Sequence, residues 1–287
     1  MDTKKLGGTQ VDIPAIGMGT WNIAPPDRYA PAEVDDNRVT EALRFGIERG
    51  LTHIDTAEMY GDGRAEELIG QAIKHMDRST LFIASKVEPE HYAYSDVFRA
   101  ARGSLRRLGT DYIDLYQLHW PTTQVPVADT MRAMEQLVDE QIIRFIGVSN
   151  FSVGQLQQAQ QVLVKYRIVS NQVEYSVLER GIEKDLLPFA EQEQITIIAY
   201  SPFATGHLFG YSGKGAGTVA RLASKYRRTP AQVYLNWLID KRPVITIPKA
   251  VQTRHLAENA DAGGWRMRTG DYETVAQAFP GERVGRL

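Results

Sequence analysis

The 287-residue chain contains no cysteine. That excludes disulfides, thiolate metal sites and a cysteine nucleophile. Long apolar runs are missing too: none approaches the ~18 residues that would read as a membrane-spanning helix, and residues 1–8 lack the apolar core of a secretory signal. The chain is therefore expected to be cytoplasmic, without a transmembrane segment or signal peptide. Charge of one sign is also lacking, since 33 Lys and Arg stand against 35 Asp and Glu, a formal charge of −2. No basic field for nucleic acid is expected. The six histidines, at positions 53, 75, 91, 119, 207 and 255, have no metal-ligand spacing, so no metal is expected either. A small or neutral ligand is the simpler expectation.

What is present suits one large core. The apolar fraction of 43% and charged fraction of 24% are ordinary for a soluble domain. The length lies within the range of a single α/β barrel, typically about 250 residues. No linker or shift of composition divides the chain, so residues 1–287 are read as one domain. Lys4 to Leu6 and Val11 to Ile13 flank Gly7-Gly8 as a hairpin, expected to act as a lid. Short apolar runs then alternate with helical patterns eight times. The runs are Ala15 to Trp21, Thr52 to Asp55, Leu81 to Ala84, Tyr112 to Leu118, Phe145 to Val148, Ile168 to Val169, Ile195 to Ala199 and Val244 to Ile247.

Caps mark several helix ends. Gly50 and Gly109 suit C-terminal positions, Ser95 is expected to open one helix, and Ser152 with Gln155 and Thr229 with Gln232 have capping-box spacing. Apolar runs without clean alternation fit strands buried on both faces, and eight strand–helix units favour a closed parallel (β/α)8 TIM barrel with an N-terminal β-hairpin. The stretch from Ala262 onward, rich in glycine and charge, reads as loop and surface.

Polar and aromatic residues stand at or just after the strand ends: Trp21, Asp55 with Tyr60, Lys86, His119 with Trp120, Asn150, Gln172, Tyr200 and Lys249. Any one of them has an ordinary structural use. Eight in succession do not, because in a barrel these ends converge on the face where active sites lie.

Several stretches then carry a resemblance. Asp55-Thr56-Ala57-Glu58-Met59-Tyr60-Gly61, the downstream Lys86, Asp114-Leu115-Tyr116-Gln117-Leu118-His119-Trp120-Pro121, Ile146-Gly147-Val148-Ser149-Asn150-Phe151 and Ile247-Pro248-Lys249 together resemble the aldo-keto reductase family. The likeness runs from about residue 6 to residue 259. It implies a TIM-barrel oxidoreductase that uses NADP(H) without a Rossmann domain, with Asp55, Tyr60, Lys86 and His119 as its catalytic tetrad.

Elementary chemistry agrees with that reading. Hydride addition to a carbonyl leaves an alkoxide-like oxygen that needs a proton donor and an electropositive surround. Tyr60 is the candidate donor. Free tyrosine titrates near about 10, so a cation beside it, Lys86, would stabilise the phenolate, and Asp55 would hold that cation. His119 would orient the carbonyl oxygen.

The resemblance further implies that Ser149, Asn150 and Gln172 bind the carboxamide of the nicotinamide and that Tyr200 stacks on its ring. Thr20, Trp21, Ser201, Pro202 and Leu208 are further expected contacts, and the glycine-rich loop from Gly206 to Gly215 would cover the pyrophosphate. Lys249, Ala250, Arg254 and His255 fall at the 2′-phosphate site, with Glu258 and Asn259 at the adenine. One departure stands out there: His255 occupies the family's arginine position and Arg254 lies one place earlier. NADP(H) is accordingly the expected cofactor, with NAD(H) as the alternative.

Trp21, Tyr60, His119 and Trp120 would wall a pocket for an aldehyde or ketone, in a protein expected to be monomeric. Two other functions are consistent with the residues: a nucleotide-sensing binding subunit with little turnover, and a Schiff-base lyase using Lys86.

Overall fold

The computed structural model describes residues 1–26 and 33–279. A two-stranded antiparallel hairpin, β1 (Thr3–Lys5) and β2 (Asp12–Pro14), precedes the sheet. Eight parallel strands follow: β3 (Met18–Gly19), β4 (His53–Asp55), β5 (Phe82–Val87), β6 (Ile113–Leu118), β7 (Ile143–Ser149), β8 (Ile168–Glu174), β9 (Thr196–Tyr200) and β10 (Val244–Thr246). They pair in chain order, and the parallel bridges Ile16 to Thr246 and Gly19 to Lys249 join the first strand to the last. The expected barrel is therefore observed.

Glycine in the first strand has a steric reason. A Cβ on Gly17 would sit 2.7 Å from the His53 carbonyl oxygen, and one on Gly19 would sit 2.6 Å from that of Ile247. Both neighbouring backbones crowd this strand, so a side chain on that face has no room.

Eleven α-helices are described: α1 (Asp36–Glu48), α2 (Arg64–Ile73), α3 (Tyr94–Leu108), α4 (Val127–Asp139), α5 (Val153–Val162), α6 (Leu186–Gln192), α7 (His207–Gly210), α8 (Lys214–Tyr226), α9 (Pro230–Asp240), α10 (Thr253–Ala260) and α11 (Thr269–Ala278). Their starts and stops follow local chemistry. Ser152 and Thr229 form capping boxes with Gln155 and Gln232, and Gly109 ends α3 in the left-handed conformation. Ser95 does not open α3 as expected: the cap position falls two residues earlier, at Ala93, whose side chain cannot cap.

Two apolar layers result. Ile54, Tyr116, Ile146 and Ile197 face outward against the helices, while Phe82, Ala84, Leu115, Ile198 and Ile245 fill the barrel. Leu6 and Ile13 of the hairpin join the inner layer. The hairpin is thus a floor rather than a lid over the mouth. Lys4 Nζ donates to the carbonyls of Ile239, Lys241 and Val244 at 2.6, 2.7 and 2.6 Å, and Gly7 N–H donates to Thr196 Oγ1 at 2.7 Å. These contacts fix it at the amino-terminal ends of β9 and β10, opposite the carboxyl ends where the candidate residues lie.

The segment after Ala262 is also more ordered than its composition indicates. Within α11 and just beyond it, Val275 and Phe279 are fully buried, and the Phe279 ring meets Tyr211 and Tyr234. Burying such a side chain is worth about 1.5–3 kcal/mol, enough to dock a helix of weak amphipathicity.

His53, one turn of the pleat below Asp55, is fully buried beside Phe82, and among the described residues neither ring nitrogen has a hydrogen-bond partner. Desolvation pulls it down to about 4 from 6.5, against the attraction of Asp55. The folded protein therefore binds fewer protons here than the unfolded chain, so stability rises with pH across this interval. The contribution is complete above pH 6.5 and is lost as the pH falls towards 4, about 3 kcal/mol for this residue at 1.36 kcal/mol per unit. Urea unfolding at pH 7 and pH 4.5 should give a shallower pH dependence for His53→Asn than for the wild type. Equal slopes would show that His53 contributes nothing to acid lability.

Candidate active site

Asp55 is the last residue of β4, and the chain then turns so that Tyr60 comes back over the barrel mouth. The turn depends on left-handed backbone at Gly61, Asp62 and Gly63, with φ of 57°, 54° and 87°. At Gly61 a Cβ would also approach the Pro25 carbonyl oxygen to 2.9 Å. The two glycines therefore allow the tight reversal that carries the phenol inward.

Lys86 lies on β5, and its side chain is completely buried. Its ammonium donates to Asp55 Oδ2 at 2.8 Å, to the Thr56 carbonyl at 2.8 Å and to Tyr60 Oη at 3.1 Å. All three N–H bonds are used. Burial acts to lower the Lys86 pKa, but the charge of Asp55 and the Tyr60 phenol oppose it and leave the group above its ordinary value. An amine protonated and engaged in this way is a poor nucleophile, which weighs against the Schiff-base chemistry considered above. Asp55 Oδ1 accepts from Gln172 Nε2 at 2.6 Å, so the carboxylate is held from both sides.

His119 follows β6 and completes the group. Its ring centroid lies 5.7 Å from that of Tyr60 at an interplanar angle of 72°. Burial first, and Lys86 second, push its pKa well below 6.5 and keep the imidazole neutral. Nδ1 is buried and has no hydrogen-bond partner among the described residues. A proton there would be left unpaired, so the favoured tautomer carries it on Nε2 and presents a donor to the mouth. Trp120 stacks beside His119 at 6.5 Å, and Trp120 and Trp21 are partly exposed at 40% and 39%. Aromatic surface of this kind is suited to an apolar ligand group.

The next strand ends carry the other expected contacts. Ser149 Oγ donates to the Gln172 carbonyl at 2.9 Å, Asn150 Nδ2 donates to Ser149 Oγ at 2.9 Å and to the His119 carbonyl at 3.2 Å, and Tyr200 Oη donates to Asn150 Oδ1 at 3.0 Å. This network ties the carboxyl ends of β7, β8 and β9 to the tetrad. Ser201 has a left-handed φ of 49°, while Pro202 and the Leu208 side chain are buried.

Thr20 is buried, and its hydroxyl donates to the Asp55 carbonyl at 2.9 Å, a support from beneath. Lys249 is exposed and Ala250 half-buried after β10; Arg254 and His255 are exposed in the first turn of α10, with Arg254 Nε donating to Gln252 at 3.0 Å and His255 Nδ1 lying 3.4 Å from Glu258. Asn259 is buried near the end of that helix.

Two links had no sequence signal. The Gln172 to Asp55 bond spans 117 positions, and the Thr20 hydroxyl could equally have capped its own turn. One histidine also has carboxylate neighbours in space that its spacing does not reveal: among the described residues, Glu58, Glu88 and His91 bring ligand-type atoms within 4.8 Å of one another.

Comparison with known proteins now bears on this geometry. The sequence profile of the Aldo/keto reductase family matches residues 15–278. The chain belongs to the aldo/keto reductase family. It is 39% identical to the methylglyoxal reductase YeaE of Escherichia coli over 271 residues, 94% of this chain and 92% of that protein. The thermostable aldo-keto reductase Tm1743, solved in complex with the inhibitor epalrestat, superposes with a TM-score of 0.91 at 40% identity, covering 97% of this chain and 100% of that one. An aldo/keto reductase from Klebsiella pneumoniae in complex with NADP and acetate gives a TM-score of 0.86 at 37% identity, covering 99% and 97%. Among the described residues, no helix is long and apolar enough to cross a membrane.

Proposed function

We propose that this aldo/keto reductase transfers hydride from NADPH to aldehydes and ketones, with Tyr60 as the proton donor. The observation that carries the proposal is the three-way coordination of Lys86 Nζ by Asp55, the Thr56 carbonyl and Tyr60 Oη. It places a permanent positive charge against the phenol oxygen.

The donor set fits a nicotinamide dinucleotide. The amide nitrogen of Gln172 is committed to Asp55, which turns its carbonyl away as the acceptor for a carboxamide N–H, and the Tyr200 ring stands half-buried at the end of β9. Lys249 and Arg254 supply exposed cations beside the N-terminus of α10, a combination suited to a 2′-phosphate. When bound, NADPH supplies the hydride.

The chain's own residues supply the remaining requirements. His119 Nε2–H and Tyr60 O–H converge on one carbonyl oxygen and orient the carbon towards the hydride face. As negative charge grows on that oxygen, Tyr60 gives up its proton. The Lys86 ammonium stabilises the phenolate left behind, and Asp55, gripped by Gln172, keeps Lys86 in place. Trp21 and Trp120 exclude water from the reacting carbonyl.

Methylglyoxal, a small aldehyde reduced by the Escherichia coli relative as its name records, is the first probe to try. Consumption of NADPH matched by loss of the carbonyl compound tests the activity; cofactor binding with no turnover across a panel of aldehydes and ketones would instead establish a sensing subunit. For the cofactor preference, Arg254→Gln should weaken NADPH binding about tenfold, the value of one charge-assisted hydrogen bond, and leave NADH binding unchanged. Fluorescence titration with both nucleotides reads this directly. Equal losses for the two would remove Arg254 from the phosphate site.

A further inference from the structure

The geometry points to His91 and Tyr92 as a positioning brace that sets the spacing between the Tyr60 turn and the His119-Trp120 segment. The inference rests on the catalytic reading of Tyr60 and His119, but on different atoms. His91 closes a short 3-10 turn, Pro89–His91, on the loop between β5 and α3, and Tyr92 follows it. Neither residue lines the proposed reaction centre.

Each holds one of the two segments. His91 Nδ1 lies 3.0 Å from Glu58 Oε1, which also accepts Glu88 N–H at 2.9 Å. Glu58 stands two residues before Tyr60 in the turn after β4, and its side chain is nearly buried, at 8% exposure. On the other side, the Tyr92 hydroxyl donates to the Trp120 carbonyl at 2.7 Å and accepts Trp120 N–H at 3.2 Å. One phenol oxygen therefore satisfies both backbone groups of the residue next to His119.

The brace is itself fixed. The Tyr92 carbonyl accepts Thr130 Oγ1 at 2.9 Å, from α4, and the Tyr92 ring is buried. Burial raises the Tyr92 pKa above the usual tyrosine range, so the hydroxyl remains a donor at any working pH. Two adjacent residues thus reach in opposite directions, to the segment carrying the proton donor and to the segment carrying the orienting histidine. Their span determines how Tyr60 and His119, 5.7 Å apart by ring centroid, share one substrate oxygen. A buried tyrosine kept only for packing would need no partner of this kind, and phenylalanine would serve.

Tyr92→Phe keeps the ring and removes both bonds to Trp120. The expected result is a kcat for methylglyoxal lowered about tenfold or more, in the range that follows from misplacing a catalytic group by less than 1 Å. The melting temperature should fall by no more than the few degrees that two lost hydrogen bonds cost, and the NADPH Kd should stay at its wild-type value. His91→Phe should act in the same sense, and His91→Gln should recover most of the loss, since its amide can still donate to Glu58.

Wild-type kcat in Tyr92→Phe would overturn the proposal. So would a kcat loss matched by losses of melting temperature and NADPH affinity, because that pattern marks general destabilisation. Tyr60→Phe run in parallel separates the two claims: inactive Tyr60→Phe beside normal Tyr92→Phe removes only the brace, whereas active Tyr60→Phe removes the catalytic reading beneath it.

Discussion

Tyr60→Phe is expected to lower kcat for carbonyl reduction by about a thousandfold, within the range a positioned general acid contributes, while NADPH binds as tightly as before. The substitution is structurally mild. The ring stays in its place, 4.7 Å from Lys86 Nζ and 5.7 Å from the His119 ring, and only the hydroxyl goes. Lys86 keeps two of its three acceptors, Asp55 and the Thr56 carbonyl, so its charge remains in the site. What disappears is the proton at the position where the oxyanion forms. Steady-state assays with methylglyoxal, with nucleotide fluorescence for the Kd, separate these effects. Turnover close to wild type would show that the proton comes from another group.

Lys86→Met should have the second large effect, and on stability as well as activity. The lysine is fully buried against a carboxylate that is itself 2% exposed. Removing one partner of such a pair leaves an uncompensated buried charge and typically costs about 3–5 kcal/mol. Gln172 still holds Asp55 Oδ1, which offsets part of the loss without supplying a positive charge. The double variant Lys86→Met with Asp55→Asn removes both charges and should regain most of the stability. It should regain no activity, because the phenolate of Tyr60 then has no cation beside it. Urea unfolding of both single variants and the double variant measures the coupling. Additive losses would mean that the pair does not interact as the 2.8 Å contact indicates.

The legibility of this molecule in its sequence follows from where the information resides. Strands buried on both faces are apolar runs, and a barrel's chemistry sits just after them, so Asp55, Lys86, His119, Asn150 and Gln172 could be picked out from local order alone. Capping boxes at Ser152 and Thr229 are equally local and were legible for that reason. Features set by distant contacts were not. Helix α11 lies among glycines and charges, and its order comes from the burial of Val275 and from Phe279 docking against Tyr211 and Tyr234, more than forty positions away in the chain. The hairpin could be recognised, but its place under the barrel depends on Lys4 reaching carbonyls near residue 240. Ser95 misled because capping is a matter of backbone geometry as well as residue type, and the chain enters α3 at Ala93.

The same distinction applies inside the site. The tetrad's members were visible as residue types, but the second hold on Asp55 by Gln172 and the support of Asp55 by Thr20 join residues 117 and 35 positions apart, beyond the reach of any local pattern. Cofactor contacts were read by position after strand ends. The structure shows that Ser149, Asn150 and Tyr200 form one hydrogen-bonded line along those ends, so replacing any one of them disturbs its neighbours.

Single-turnover mixing gives the most direct test of the central claim, that Tyr60 protonates the carbonyl oxygen as hydride arrives. Enzyme preloaded with NADPH is mixed with methylglyoxal, and the loss of nicotinamide absorbance is followed from neutral to alkaline pH. The expected result is a fast phase in the wild type that slows at alkaline pH, where a general acid is lost, and no such phase in Tyr60→Phe. A fast phase of equal size and rate in both proteins, unchanged across that pH range, would contradict it.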